Sequence, residues 1–151
     1  NEAKLFIASY FNRFPRIRDY MEDIKSDLRE NGYVETLFNR RVYINGSDAA
    51  KQNIRGFAER QAINAPIQGT AADIIKNAMI QIHRELSDHK KDVSMLMQVH
   101  DELVFEIKTN KIEEIQNVVL PIMETANLPM VPLKVNLKVD VGYGNNWAEA
   151  H

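Results

Sequence analysis

The sequence predicts an α+β fold, a helical portion followed by a small antiparallel sheet with packing helices, on three observations. Apolar residues recur at intervals of three and four in several segments, which is the period of amphipathic helices. Two stretches rich in β-forming residues are each interrupted by a short polar turn, which is typical of hairpins. Helices and strands fall in separate runs along the 151 residues rather than alternating, so a parallel βαβ sheet is not expected.

Two helices are predicted at the beginning of the chain. Asn1 is a candidate N-cap, Glu2 lies in the first turn, and helical spacing continues to Pro15. A second amphipathic pattern runs from Pro15 to Gly32, and glycine is common immediately after a helix. Because Asn1 opens directly into a helical pattern, we expect the protein to continue upstream.

A small hairpin should follow the second helix. Residues 33–37 and 41–44 are rich in β-forming side chains and flank Asn39, which tolerates the left-handed conformation of tight turns. The next segment, 45–47, has the composition of a loop. We therefore expect two short antiparallel strands and then a return to helix.

The helical region that follows contains a proline whose effect the sequence leaves open. Asp48 is a candidate cap for a helix that reaches about Asn64, and Pro66 either ends that helix or kinks a longer one. Thr70 and Asp73 have the spacing of a capping box ahead of a further helical pattern. Both a single long helix and two shorter ones remain possible at this point.

The second half of the chain predicts a hairpin, a helix and a last strand. Residues 93–107 are strongly apolar and are broken only by a polar turn at 100–102. Helical spacing returns over 112–123, and prolines follow in the next loop. Residues 133–141 alternate between apolar and polar side chains, so we expect a final strand there.

Composition and charge limit the possible functions. The chain has no cysteine, which excludes disulfides and thiolate metal sites, and it has neither a membrane-spanning segment nor a signal peptide, so we expect a cytoplasmic protein without a membrane partner. The net charge of -2 hides a cationic stretch between Thr36 and Arg60, with five basic and two acidic residues. This stretch is either a local site for polyanions or a solvated surface.

The polar turn at 100–102 is a candidate metal site. Asp101 and Glu102 are adjacent carboxylates, and a divalent cation relieves the repulsion between them. Mg²⁺ prefers oxygen ligands and often takes only one or two carboxylates together with substrate phosphates. The other interpretation is that His100, Asp101 and Glu102 form an ordinary polar hairpin turn.

A row of polar residues is a second candidate site. Arg60, Asn64 and Gln68 are spaced by four, so they share one helix face if the helix continues through Pro66. Arginine suits phosphates, and amides suit the acceptors on base edges in a minor groove. The alternative is that these side chains are simply the solvated face of a helix.

Read together, these segments closely resemble the last two polymerase motifs of the family A DNA polymerases. Residues 55–76 read RGFAERQAINAPIQGTAADIIK, and residues 98–104 read QVHDELV. The resemblance extends to YVETL at 33–37 with the arginine pair that follows, and to VGYGNNW at 141–147. It covers nearly the whole chain in one order.

The resemblance implies a template-directed DNA polymerase whose domain has the form of a right hand. Residues 1–70 would be the later part of the fingers, and 71–151 the later part of the palm. Asp101 matches a metal-binding aspartate of a site for two Mg²⁺ ions, Glu102 a secondary ligand, and His100 a contact of the primer terminus. The implied partners are primer-template DNA and deoxynucleoside triphosphates.

Further DNA contacts follow from the same resemblance. The row Arg60, Asn64 and Gln68 would follow the minor groove near the new base pair, and Arg41 would contact DNA. Two departures affect the arginine pair: Asn39 stands where the family usually has glycine, and residues 44–47 differ from its usual continuation.

The resemblance also indicates what this chain lacks. The family's other metal-binding aspartate and its triphosphate-binding helix have no match here, so we expect the chain alone to be inactive and any self-association to result from truncation. A non-catalytic DNA-binding module is the main alternative. A metal-dependent hydrolase is disfavoured because His83, His89 and His151 lack HExxH-like spacing.

Overall fold

The computed structural model describes residues 2–150, and they form two compact units with the division between Thr70 and Ala71. In chain order the elements are α1 (Glu2–Arg13), α2 (Pro15–Asn31), β1 (Tyr33–Glu35), β2 (Arg41–Tyr43), α3 (Gln52–Glu85), β3 (Val93–Val99), β4 (Glu102–Ile107), α4 (Ile112–Thr125) and α5 (Trp147–Ala150). Short 3₁₀ turns lie at Ser87–His89 and Thr109–Lys111. The described strands pair into two antiparallel hairpins, β1–β2 and β3–β4, so the predicted α+β class is confirmed.

Helices α1 and α2 lie where the sequence predicts them. Gly32 follows α2 with a φ of 74°, and its N–H donates to the Leu28 carbonyl at 2.9 Å, which closes the helix end. The predicted cap at Asn1 lies outside the described residues. Helix α1 has no buried side chain among the described residues, and Leu5 and Phe6 are 72% and 73% exposed.

The first hairpin has the predicted position but shorter strands. Tyr33 pairs with Tyr43, and Glu35 pairs with Arg41. Asn39 has a φ of 59°, the left-handed conformation that was predicted for it and that glycine, the usual residue of the resembled family at this position, also adopts.

Helix α3 resolves the question that Pro66 raised. It runs for 34 residues without interruption, and Pro66 lies inside it. Thr70 is therefore not a cap, and its hydroxyl donates to the Pro66 carbonyl at 2.6 Å. The cap predicted at Asp48 is also wrong, since a turn over residues 45–48, with Gly46 at a φ of 93°, delays the helix to Gln52.

The core of the first unit is formed by small residues of α3 and larger ones from α2 and the hairpin. Ala58 and Ala62 are fully buried, which lets the backbone of α3 lie close to its neighbours. They pack with Leu28, Val34 and Ile44. This core fixes the first part of α3 against α2 and β1–β2.

Gly69 marks the closest approach of the hairpin turn to α3. A Cβ at this position would lie 2.6 Å from Thr36 Cγ2 and 3.1 Å from an Arg40 guanidinium nitrogen. We expect Gly69→Ala to lower the stability of the protein by about 1–2 kcal/mol, because overpacking outweighs the better helix propensity of alanine.

The matched control for Gly69→Ala lies on the same helix. A Cβ at Gly56 would meet only an Arg60 side-chain nitrogen at 3.6 Å, an ordinary contact. Gly56→Ala should therefore raise the midpoint of thermal unfolding, while Gly69→Ala lowers it. Shifts of the same sign in circular dichroism melts would contradict this account of Gly69.

The second unit packs β3–β4 with the later part of α3 and with α4. Ile82 and Ile115 are fully buried at its centre. The pairing of β3 shifts between Met95 and Met97, so Leu96 is a bulged residue. The Asn77 side chain donates to the Ala126 carbonyl at 2.6 Å, which joins α3 to the end of α4.

The strand predicted at residues 133–141 is wrong. No strand is assigned there, and β3 and β4 form a sheet of only two strands among the described residues. A strand requires a hydrogen-bonding partner, which an alternating pattern does not supply. None of the described helices is both long and apolar enough to cross a membrane.

Candidate functional site

The β3–β4 hairpin presents the acidic candidate residues at its tip. Val99 pairs with Glu102, so the turn itself consists of His100 and Asp101. His100 has a φ of 54°, a left-handed conformation in which histidine is enriched several-fold among non-glycine residues. The Gln98 amide donates to the His100 carbonyl at 2.8 Å and so fastens the turn to β3.

The donor set at this tip suits a hard cation. Asp101 is exposed, and Glu102, the first residue of β4, is half-buried. Within residues 2–150 no group of three or more histidine, aspartate or glutamate side chains is arranged to hold a metal. The two carboxylates nevertheless fit Mg²⁺, which commonly takes one or two carboxylates and completes its shell with water and phosphate oxygens.

The polar row lies on one face of α3, because the helix continues through Pro66. Arg60, Asn64 and Gln68 are all exposed. Asn64 and Gln68 line an open cleft of about 510 Å³ together with Tyr43 and Asn45 from the end of the first hairpin. The two amides therefore face a common space that could accept a polar ligand.

Arg60 lines a different cavity of the first unit. This cavity is about 770 Å³ and also receives Arg29 and Arg55, together with the acidic Asp48 and Glu59. Arg29 Nη2 lies 2.9 Å from Glu59 Oε1, so one of the arginines is already paired. The cationic stretch of the sequence is thus a surface of mixed charge.

Both arginines of the first hairpin have partners within their own unit. Arg41 Nε donates to Glu35 Oε1 at 3.0 Å, and its guanidinium carbon lies 4.6 Å from the centre of the Tyr33 ring. The hydrogen bond to Glu35 is the main reason that the pKa of Arg41 is raised. Arg40 Nη2 donates to the Gly69 carbonyl at 3.1 Å.

The sequence patterns did not predict the contacts that hold this part of α3. Thr36 and Thr70 are both buried, and the Thr70 hydroxyl accepts a hydrogen bond from the Leu37 N–H at 3.0 Å. Tyr20 donates to the Ile63 carbonyl at 2.9 Å. The sequence carries no local signal for Tyr20, because Pro66 frees the Ala62 carbonyl, whereas Tyr20 contacts the neighbouring Ile63 carbonyl from a helix 43 positions away.

The candidate residues are distributed over both units. The row Arg60, Asn64 and Gln68 belongs to the first unit, and His100, Asp101 and Glu102 belong to the second. The β3–β4 hairpin brings the acidic residues together, and α3 places the three residues of the row on one helix face.

Comparisons with known proteins agree over almost the entire chain. The family model described as DNA polymerase family A matches residues 1–149. The chain is 46% identical to DNA polymerase I of Rhizobium leguminosarum, covering 100% of this chain and 15% of that protein. It is 44% identical to DNA polymerase I of Bacillus caldotenax, covering 99% of this chain and 16% of that protein.

A solved structure is similar in fold as well as in sequence. It is the POL domain of Pol1 from M. smegmatis in complex with DNA primer-template and dNTP, with a TM-score of 0.90 and 43% identity. The match covers 99% of this chain and 26% of that one. The chain thus spans well under a fifth of the length of these curated relatives.

Proposed function

This chain belongs to DNA polymerase family A, and we propose that it supplies parts of the fingers and palm of a template-directed DNA polymerase. Residues 1–70 are assigned to the fingers and residues 71–151 to the palm. The reaction of the full-length protein transfers the nucleoside monophosphate of a dNTP to the 3′-hydroxyl of a primer: a bond from the 3′-oxygen to the α-phosphorus forms, and pyrophosphate leaves. The observation that carries the proposal is the exposed Asp101 at the tip of β3–β4, held in a turn that the Gln98 amide fastens.

Asp101 and Glu102 are the residues that would hold Mg²⁺. Two such ions, when bound, would activate the attacking 3′-oxygen and stabilise the charge that develops on the phosphate and the leaving pyrophosphate. The role of the hairpin is to present the Asp101 carboxylate at a fixed point beyond two paired strands. His100 occupies the same turn, where its imidazole is assigned to the primer terminus.

The polar row is assigned to the minor groove next to the new base pair. Acceptors in that groove occupy nearly the same positions in every correct pair, so donors placed there test shape rather than sequence. Asn64 and Gln68 share one cleft, which supports a common ligand for the two amides. Arg41 is assigned to the DNA backbone, and its pairing with Glu35 must then open or be shared.

Gln68→Ala in the full-length protein tests this assignment. With primed template, four dNTPs and Mg²⁺, we expect extension of a matched primer terminus to fall about five- to tenfold, because one minor-groove hydrogen bond is lost. Extension of a mismatched terminus should fall less, since that contact is already misaligned. The ratio of kcat/KM for the two termini measures the effect.

The control for Gln68→Ala is Asn53→Ala, which removes an exposed amide from α3 outside the row. It should leave both termini unaffected. Unchanged kinetics for Gln68→Ala on both termini would refute the role of the row. Wild-type protein that extends no primer would refute the polymerase proposal and would favour the non-catalytic DNA-binding module.

A further inference from the structure

Pro66 creates a defined weakness within the polar row. It has no N–H, so the Ala62 carbonyl loses its usual helical partner, and the proline ring crowds the preceding turn. Pro66 lies between Asn64 and Gln68 on α3. Any change of backbone angle at this point therefore turns Gln68 relative to Asn64.

Tyr20 of α2 contacts α3 at this weakened turn. Its hydroxyl donates to the Ile63 carbonyl at 2.9 Å, although the two residues are 43 positions apart in the sequence. Tyr20 is half-buried, and burial raises its pKa, which keeps the hydroxyl protonated as a donor. Leu28, two turns later on α2, is fully buried and anchors that helix in the core.

The turn after the proline is held by the first hairpin. Arg40 donates to the Gly69 carbonyl at 3.1 Å, and the Leu37 N–H donates to the Thr70 hydroxyl at 3.0 Å. The same hydroxyl donates to the Pro66 carbonyl at 2.6 Å. The helix segment around Pro66 is thus held from α2 on its upstream side and from the hairpin on its downstream side.

We propose that Tyr20 is a positioning residue for the polar row, which sets the angle between Asn64 and Gln68 by holding the Ile63 carbonyl. This inference rests on the proposed function of the row. Tyr20 then affects the preference for a matched over a mismatched primer terminus, although it does not itself contact DNA.

Tyr20→Phe in the full-length protein tests the inference, because it removes only the hydroxyl. We expect the matched-to-mismatched ratio of kcat/KM to fall about fivefold, the effect of one misplaced hydrogen bond, because the row then fits a correct pair less well. Tyr10→Phe removes the same group from an exposed tyrosine of α1 and should leave the ratio unchanged. A purely structural role would lower the unfolding temperature without altering this ratio, and that result would overturn the inference.

A second variant makes the test independent of the first. Pro66→Ala restores an N–H at the weak point, so a further Tyr20→Phe change should then alter the ratio by less than twofold. Equal effects of Tyr20→Phe with proline and with alanine at position 66 would overturn the inference. If wild-type protein extends primers and Tyr20→Phe has the same matched-to-mismatched ratio, the positioning role alone is refuted. If wild-type protein has no activity, the proposed function on which the inference rests is refuted.

Discussion

Asp101→Asn in the full-length protein should reduce the rate of primer extension to less than about a tenth of wild type, a loss of more than ~1.4 kcal/mol of transition-state stabilisation. The amide keeps the shape of the side chain but removes the negative charge that attracts a divalent cation. Binding of primer-template DNA should remain close to wild type, because the exposed carboxylate at the tip contributes no positive charge to DNA recognition.

The measurement is single-turnover primer extension at saturating dNTP, with DNA affinity determined separately by fluorescence anisotropy. Asp88→Asn is the matched control, because Asp88 is an exposed aspartate of the second unit outside the hairpin. It should retain wild-type kinetics. An Asp101→Asn protein that keeps more than a tenth of the wild-type rate would exclude a direct role for Asp101 in holding the metal.

The 151-residue chain by itself should show no Mg²⁺-dependent primer extension. On the proposed assignment its two adjacent carboxylates are only part of a site for two ions, and no third ligand is clustered with them within residues 2–150. The chain also spans only 15% and 16% of the length of two related DNA polymerases I. Loss of activity should therefore be complete rather than graded.

The test compares the purified chain with the full-length protein on the same primed template and at equal concentration. Circular dichroism of the isolated chain should first establish its helical content, so that inactivity is not confused with unfolding. The opposite result is that the isolated, folded chain adds a nucleotide to the primer in a reaction that EDTA abolishes. That result would contradict the prediction, because it would show that residues of this chain alone complete the metal site.

Local signals explain why most helices and both hairpins could be predicted. Pro15 separates α1 from α2, and Gly32 closes α2 in the left-handed conformation that glycine adopts freely. Asn39 marks the first turn in the same way. In each case the deciding interaction lies within a few residues along the chain.

The strand expected at residues 133–141 could not be decided locally. Its alternating pattern is compatible with a strand, but a ladder exists only where a second strand offers N–H and C=O groups in register. Among the described residues the second sheet contains β3 and β4 alone. A pattern within one segment carries no information about whether its partner is present.

The sequence by itself determined the family resemblance, the acidic pair at Asp101 and Glu102, and the four-residue spacing of the polar row. Only the tertiary structure decided that α3 continues through Pro66, and that Tyr20 and Arg40 donate hydrogen bonds to backbone carbonyls on either side of this proline. The physical reason is distance along the chain. Those two hydrogen bonds join residues 43 and 29 positions apart, so they arise from the packing of α2 and the hairpin on α3 rather than from any local preference.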